Sequence, residues 1–253
     1  MIPGIKVDKS GHPLAGAPGE QVTEGLDGLR DRCQEYAQLG AKFTKWRAVI
    51  TIGEDIPSSY CIDVNAHALG RFAALSQEAG LVPIVEPEVL MDGDHDIDRC
   101  FDVTETTLQR VFEELHRQHV SLEGMLLKPN MILSGTEAPN RAGPEQVAEA
   151  TISCFKRTIP ASMPGIVFLS GGQSDDEATV NLNAINQRVD STTPWQLSFS
   201  YGRGLQATPL KVWSGDAAKV PQAQEAYLRR ARLTSAARDG LYTPDMEKEH
   251  AGV

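Results

Sequence analysis

Six short apolar runs, each followed by residues with helical spacing, constrain this chain more than any other feature. The runs lie near residues 5–7, 43–50, 81–85, 125–127, 166–169 and 196–200. Their starts are about 30 to 44 residues apart, the period of a strand-helix unit in a parallel sheet. Helical patterns fill the gaps. Residues 26–39 place Leu26, Leu29, Cys33 and Tyr36 on one face, and residues 58–79 do the same with Ala66, Leu69, Phe72 and Ala73. Residues 103–115, 144–158 and 174–187 follow suit. An α/β chain of six units is predicted. The Gly/Pro-rich stretches 11–19, 139–143 and 191–194 are too short to separate domains, so residues 1–253 read as one domain. It is expected to end in a helix over 221–238 and a loosely held polar tail over about 241–253.

The carboxyl ends of these runs carry the chemistry. In chain order they offer Lys6 and Asp8, Lys45 and Arg47, Glu86 and Glu88, Lys128 and Asn130, Ser170 with Gly171 and Gly172, then Ser200 with Gly202 and Arg203. Residues two apart on a strand share a face. In a (β/α)8 barrel, side chains at the carboxyl rim converge on one site. Charged pairs at alternate positions on three consecutive strands are costly to bury unless they pair, and function concentrates in such clusters. A structural ion-pair network inside a barrel is the other reading.

Lys128 closes the apolar run at 125–127, and Pro129 stops the strand because it has no N–H for the ladder. A lysine so placed is partly out of water, which disfavours the ammonium and lowers its pKa. Such an amine can condense with a ketone, and the iminium formed weakens the carbon–carbon bond beyond its neighbouring carbon. The plainer alternative is a lysine snorkelling to solvent. The last two strand ends look like a phosphate site, with glycine-freed backbone N–H groups and the Arg203 fork of donors. Either glycine-bearing end alone would read as a turn.

Other chemistries find little footing. The six histidines show no zinc spacing, residues 92–96 (DGDHD) lack the calcium-loop pattern, and neither glycine-rich nucleotide motif occurs. A net charge of −10 and a pI near 5.1 argue against nucleic acid as a partner. No run of about 18 apolar residues suggests a membrane span. Cys33, Cys61, Cys100 and Cys154 are widely spaced, without a CxxC pair, which points to a reducing cytoplasmic setting.

Several motifs together resemble one family. They are residues 4–9 (GIKVDK), 23–28 (TEGLDG), 45–47 (KWR), 82–88 (VPIVEPE), 92–96, 122–130 (LEGMLLKPN), 168–174 (FLSGGQS), 181–186 (NLNAIN) and 199–206 (FSYGRGLQ). In this order, from Gly4 to about Tyr242, they resemble class I fructose-bisphosphate aldolase. The resemblance implies a TIM (β/α)8 barrel. It also implies reversible cleavage of fructose 1,6-bisphosphate to dihydroxyacetone phosphate and glyceraldehyde 3-phosphate through a Schiff base, in glycolysis and gluconeogenesis. No metal or other cofactor is implied, and the partners would be a phosphorylated sugar and further copies of the chain in a homotetramer. By the same resemblance Lys128 is the Schiff-base lysine, Glu86 the acid/base, Glu88 its assistant, and Lys45 a cation beside the nucleophile. Lys6 and Arg47 would line the substrate site. Ser170, Gly171, Gly172, Ser200, Gly202 and Arg203 would hold the C1 phosphate.

Two departures shape the expectation. The family barrel has eight strands, and the resemblance begins at the third, so about six units are expected here, with the barrel incomplete at its amino terminus. The family's cleavage-assisting aspartate on the first strand then has no counterpart. The chain also ends in residues 249–253 without the carboxyl-terminal tyrosine of animal members. The alternative is an inactive or weakly active barrel fragment that keeps only phosphate binding or a scaffold role. A transaldolase is the weaker rival, since it lacks this motif set. Preference for fructose 1,6-bisphosphate or fructose 1-phosphate stays open.

Overall fold

Burial alternates residue by residue along the first long strand, and that alternation sets the architecture. The computed structural model describes residues 1–248. Strand β1 (Gly4–Lys6) leads into an antiparallel hairpin, β2 (Gly11–Pro13) and β3 (Gln21–Thr23). Then come α1 (Leu29–Gln38), β4 (Phe43–Ile50), α2 (Ser59–Glu78), β5 (Val82–Val89), α3 (Ile97–Arg117), β6 (Leu126–Leu127) and α4 (Pro144–Thr158). The series ends with β7 (Gly165–Phe168), α5 (Asp175–Gln187), β8 (Gln196–Phe199), α6 (Arg203–Trp213) and α7 (Val220–Arg238).

The main sheet has six parallel strands in the order β1-β4-β5-β6-β7-β8. Each strand of this sheet neighbours the sheet's next strand along the chain, with a helix between every consecutive pair, as in a TIM barrel. The edge strands β1 and β8 are not hydrogen-bonded to each other, so the sheet is barrel-like but not closed.

On β4, Thr44, Trp46, Ala48 and Ile50 are buried on the face toward the helices, while Lys45 and Arg47 take the other face. Trp46 stacks on Phe72 of α2, and Phe155 of α4 stacks on Phe168 of β7, each pair with centroids 5.7 Å apart. Fully burying an aromatic side chain of this kind contributes about 1.5 to 3 kcal/mol. These contacts lock the helical layer to the sheet and fix which way the charged face looks.

The helices start where the sequence supplies caps. Ser58 accepts from the Cys61 N–H at 3.1 Å and Asp96 from the Arg99 N–H at 2.8 Å, starting α2 and α3. Asp96 starts α3 six residues earlier than its apolar periodicity predicts. Its buried stripe, Cys100, Val103, Thr104, Leu108, Val111 and Leu115, has helical spacing.

Three features depart from the sequence expectation. Residues 11–19, expected as linker, begin the β2–β3 hairpin, whose three-residue strands are too short to show alternation. Helix α6 was not expected, because Gly202 before it and Pro209 inside it read as loop chemistry. Within the expected loose tail, residues 241–248 are tied down: Tyr242 is buried, and its hydroxyl donates to Glu247 Oε1 at 3.2 Å. The tail's last residues, 249–253, lie outside the described residues.

Candidate active site

Parallel register lines up the charged residues on one face of the sheet. Lys6 lies beside Lys45, and Arg47 beside Glu86. Lys128 directly follows β6, and its N–H donates to the Val85 carbonyl at 2.8 Å, so the ladder carries this residue one step past the strand.

Glu86 is the centre of the cluster. It is 3% exposed, and its carboxylate stands between two ammonium groups. Oε1 lies 3.2 Å from Lys128 Nζ, and Oε2 pairs with Lys45 Nζ. A carboxylate buried this deeply is tolerable only because both oxygens face cations. Glu88, equally buried, pairs with the Arg47 guanidinium. Asp8 pairs with Lys6 Nζ at 2.6 Å and accepts from the Arg47 N–H at 3.2 Å. Four cations thus face three carboxylates, which leaves the face with an excess of positive charge suited to an anionic ligand.

Both central lysines titrate below the ordinary lysine range. For Lys45 burial is the largest cause and the Lys128 charge the next, and its pKa is pushed down to about 8. For Lys128 burial again dominates; the Glu88 carboxylate pulls its pKa back up and Arg47 pushes it down. Repulsion between the two neighbouring ammonium groups disfavours charging both at once, and the Arg47 guanidinium adds to it at each lysine.

The glycine-bearing strand ends meet as well. Arg203, the first residue of α6, donates from Nη2 to the Gly171 carbonyl at 2.6 Å, and the Gly204 N–H reaches Ser170 Oγ at 3.4 Å. Gly171 has φ 57°, a left-handed conformation that favours glycine. A Cβ on Gly172 would come within 3.1 Å of Met91 Sδ, so a larger residue there would have to push the Met91 side chain aside by a few tenths of an ångström. A small cavity lined by Glu88, Asn130, Gly171, Gly172 and Arg203 joins this loop to the charged cluster.

Not every expected residue is drawn in equally. The Ser200 N–H donates to the Phe168 carbonyl at 2.9 Å, which fixes its backbone beside the loop, while Gly202 stands at the start of α6. The Lys6 side chain is half exposed on the edge strand and touches only the Asp8 group. Asn130 serves the framework: its Oδ1 accepts from the Val89 N–H at 3.1 Å and its Nδ2 donates to Thr104 Oγ1 at 3.1 Å. Sequence reasoning missed the buried Gln173 and the α6 amino terminus; their signals are a polar side chain after two glycines and a glycine before an arginine, neither specific.

Comparison with known proteins supplies the family. The model described as fructose-bisphosphate aldolase class-I matches residues 1–252. A "Probable fructose-bisphosphate aldolase class 1" from Xanthomonas campestris is 58% identical over 233 residues, covering 92% of this chain and 69% of that protein. "Fructose-bisphosphate aldolase 4, cytosolic" from Arabidopsis thaliana is 52% identical over 247 residues, covering 98% of this chain and 63% of that one. Among solved structures, fructose-bisphosphate aldolase from Plasmodium falciparum, in complex with TRAP and a small-molecule inhibitor, superposes with a TM-score of 0.93 at 46% identity. That match covers 96% of this chain and 70% of the other. The chain thus spans about two thirds of the length of these relatives.

Proposed function

This chain belongs to the class I fructose-bisphosphate aldolase family, and from that premise we propose that it acts on phosphorylated ketoses through a Schiff base on Lys128. The observation that carries the reading is the buried Glu86 carboxylate held between Lys128 and Lys45. Burial lowers the Lys128 pKa and so enlarges its neutral, nucleophilic fraction at a given pH. Its amine adds to the ketone carbon, Glu86 delivers the proton with which the oxygen leaves as water, and an iminium remains. The Glu86 carboxylate, having given up its proton, takes the proton of the C4 hydroxyl; the carbon–carbon bond breaks, its electron pair passes to the iminium to leave an enamine, and the aldehyde departs.

The remaining residues take supporting roles. Glu88 holds Arg47, and Lys45, Lys6 and Arg47 face the sugar oxygens. Ser170, Gly171, Gly172, Ser200, Gly202 and Arg203 take the C1 phosphate at the amino terminus of α6, where free N–H groups and the helix dipole favour an anion. No metal or cofactor enters this chemistry. The substrate would be fructose 1,6-bisphosphate, in glycolysis and gluconeogenesis. The reading also places the chain in the cytoplasm, as one barrel domain within a homotetramer.

Borohydride reduction in the presence of dihydroxyacetone phosphate, followed by peptide mass spectrometry, should place one adduct on Lys128 and none in Lys128→Ala. An adduct on Lys6 or Lys45 that survives this substitution would defeat the assignment.

One observation favours a second reading. Strands β1 and β8, which carry Lys6 and Asp8 at one end and lead to the phosphate residues at the other, are the unpaired edges of the sheet. In that reading the chain binds the phosphorylated ketose and forms the imine but cleaves weakly or not at all. Adduct formation without release of glyceraldehyde 3-phosphate would select it.

A further inference from the structure

The loop that bears the two glycines is held from behind by a pair of side-chain amides. Gln173 donates twice to the Ser170 carbonyl, from its backbone N–H and from Nε2, each at 3.1 Å. Its Oε1 in turn accepts from Asn181 Nδ2 at 2.8 Å. Both residues are buried, Gln173 at 5% and Asn181 at 3% exposure.

The chemistry fixes the direction of this relay. A carbonyl can only accept, so Gln173 must turn Nε2 toward Ser170, which leaves Oε1 toward Asn181. Asn181 must then present its amide nitrogen. With the Ser170 carbonyl held by Gln173 and the Gly171 carbonyl taken by Arg203, the carbonyls of both residues are occupied. Among the described residues, the N–H groups of Gly171 and Gly172 donate to no protein atom.

We infer that Gln173 and Asn181 are positioning residues for the phosphate of the substrate. They hold the Ser170 carbonyl in place so that the Gly171 and Gly172 N–H groups stay available to a phosphate ester. The inference rests on the phosphate pocket proposed above and adds the residues that orient it.

Asn181→Asp is nearly isosteric but offers only acceptors where a donor is needed. The Gln173 amide must then turn over and set its oxygen against the Ser170 carbonyl. Gln173→Leu removes the relay altogether. Each variant is compared with wild type by borohydride trapping on Lys128, once with dihydroxyacetone phosphate and once with unphosphorylated dihydroxyacetone. Thermal unfolding of each variant reports the fold separately.

The half-saturating concentration of the phosphorylated ketone is expected to rise about tenfold in both variants, the scale of one lost hydrogen bond to a charged group. That of dihydroxyacetone should stay within about twofold, the scale of a side-chain change that removes no contact to the ligand. Equal shifts for both ketones, or none for either, would overturn the inference. Should wild type be trapped by neither ketone, the lysine assignment has failed on its own. Inorganic phosphate binding, followed by phosphorus NMR line broadening, then decides the relay without an imine. Weakened binding in both variants supports it, and unchanged binding or no binding to wild type overturns it.

Discussion

Glu86 between two ammonium groups makes the site sensitive to pH in a direction that can be worked out. Lys45 ordinarily titrates near 10.5 and is pushed down to about 8, chiefly by burial. Its charge is therefore lost as pH rises through about 8. Imine formation on Lys128 should speed up with pH as Lys128 sheds its own proton, and loss of the Lys45 charge above about pH 8 should bend that rise downward. Adduct yield against pH measures this. In Lys45→Met the bend near pH 8 should vanish, and its persistence would assign it to another group. The same depressed pKa bears on stability. Between about 8 and 10.5 the unfolded chain binds more protons at Lys45 than the folded one, so this group's contribution to stability grows with pH across that window.

At the scale of single elements, two buried charges hold structure that the apolar pattern does not explain. Glu20, 4% exposed, accepts from the Ser58 N–H and from Ser58 Oγ, both at 2.6 Å, at the amino terminus of α2. The β2–β3 hairpin is thereby fastened to that helix, where a negative charge also suits the dipole. Glu20→Ala should lower unfolding stability by about 1 to 3 kcal/mol, seen as a reduced urea midpoint, because the Ser58 donors lose their partner. A change within about 0.5 kcal/mol, the ordinary surface effect, would show that water replaces the carboxylate at no cost. Arg230 does a similar task for the chain end. It is 5% exposed, pairs with Glu247 Oε1 at 2.6 Å and Asp176 at 3.2 Å, and donates to Thr179 Oγ1 at 2.7 Å. Arg230→Met is expected to cost about 1 to 3 kcal/mol, less than a wholly buried pair because Asp176 is mostly exposed. Hydrogen exchange over residues 241–248 should accelerate in this variant. Unchanged exchange there would mean that Tyr242 packing alone secures the segment.

Across the whole molecule, the exposed apolar surface is concentrated where α6 meets α7. Leu210 and Leu228 are 56% and 54% exposed, and Trp213, Val220 and Tyr227 line the same groove. The sheet also presents two unpaired edges, β1 and β8. Both features recruit other chains, so the 253-residue chain is expected to associate as its concentration rises in light scattering. Leu210→Lys combined with Leu228→Lys should reduce the association if the groove carries it. Undiminished association would transfer the effect to the sheet edges, and a monomeric wild type at every concentration would refute both.

The sequence by itself determined the units and their chemistry. The period of the apolar runs placed all six strands of the main sheet, and the alternation of Lys45 and Arg47 with Trp46 and Ala48 showed which face carries charge. These are local properties, set by side-chain direction along a strand and by the strand-helix repeat. Tertiary structure alone decided the pairings. No spacing in the chain says that Glu86 stands between Lys45 and Lys128, that Asn130 turns into the framework, or that Gln173 leans on Asn181. Those contacts depend on strand register and on how the helices seat the sheet, where a shift of one residue would exchange the two faces. The hairpin at 11–23 and helix α6 escaped the sequence for a related reason: their glycines and prolines satisfy a loop equally well until the neighbouring β4 and α7 supply something to pack against.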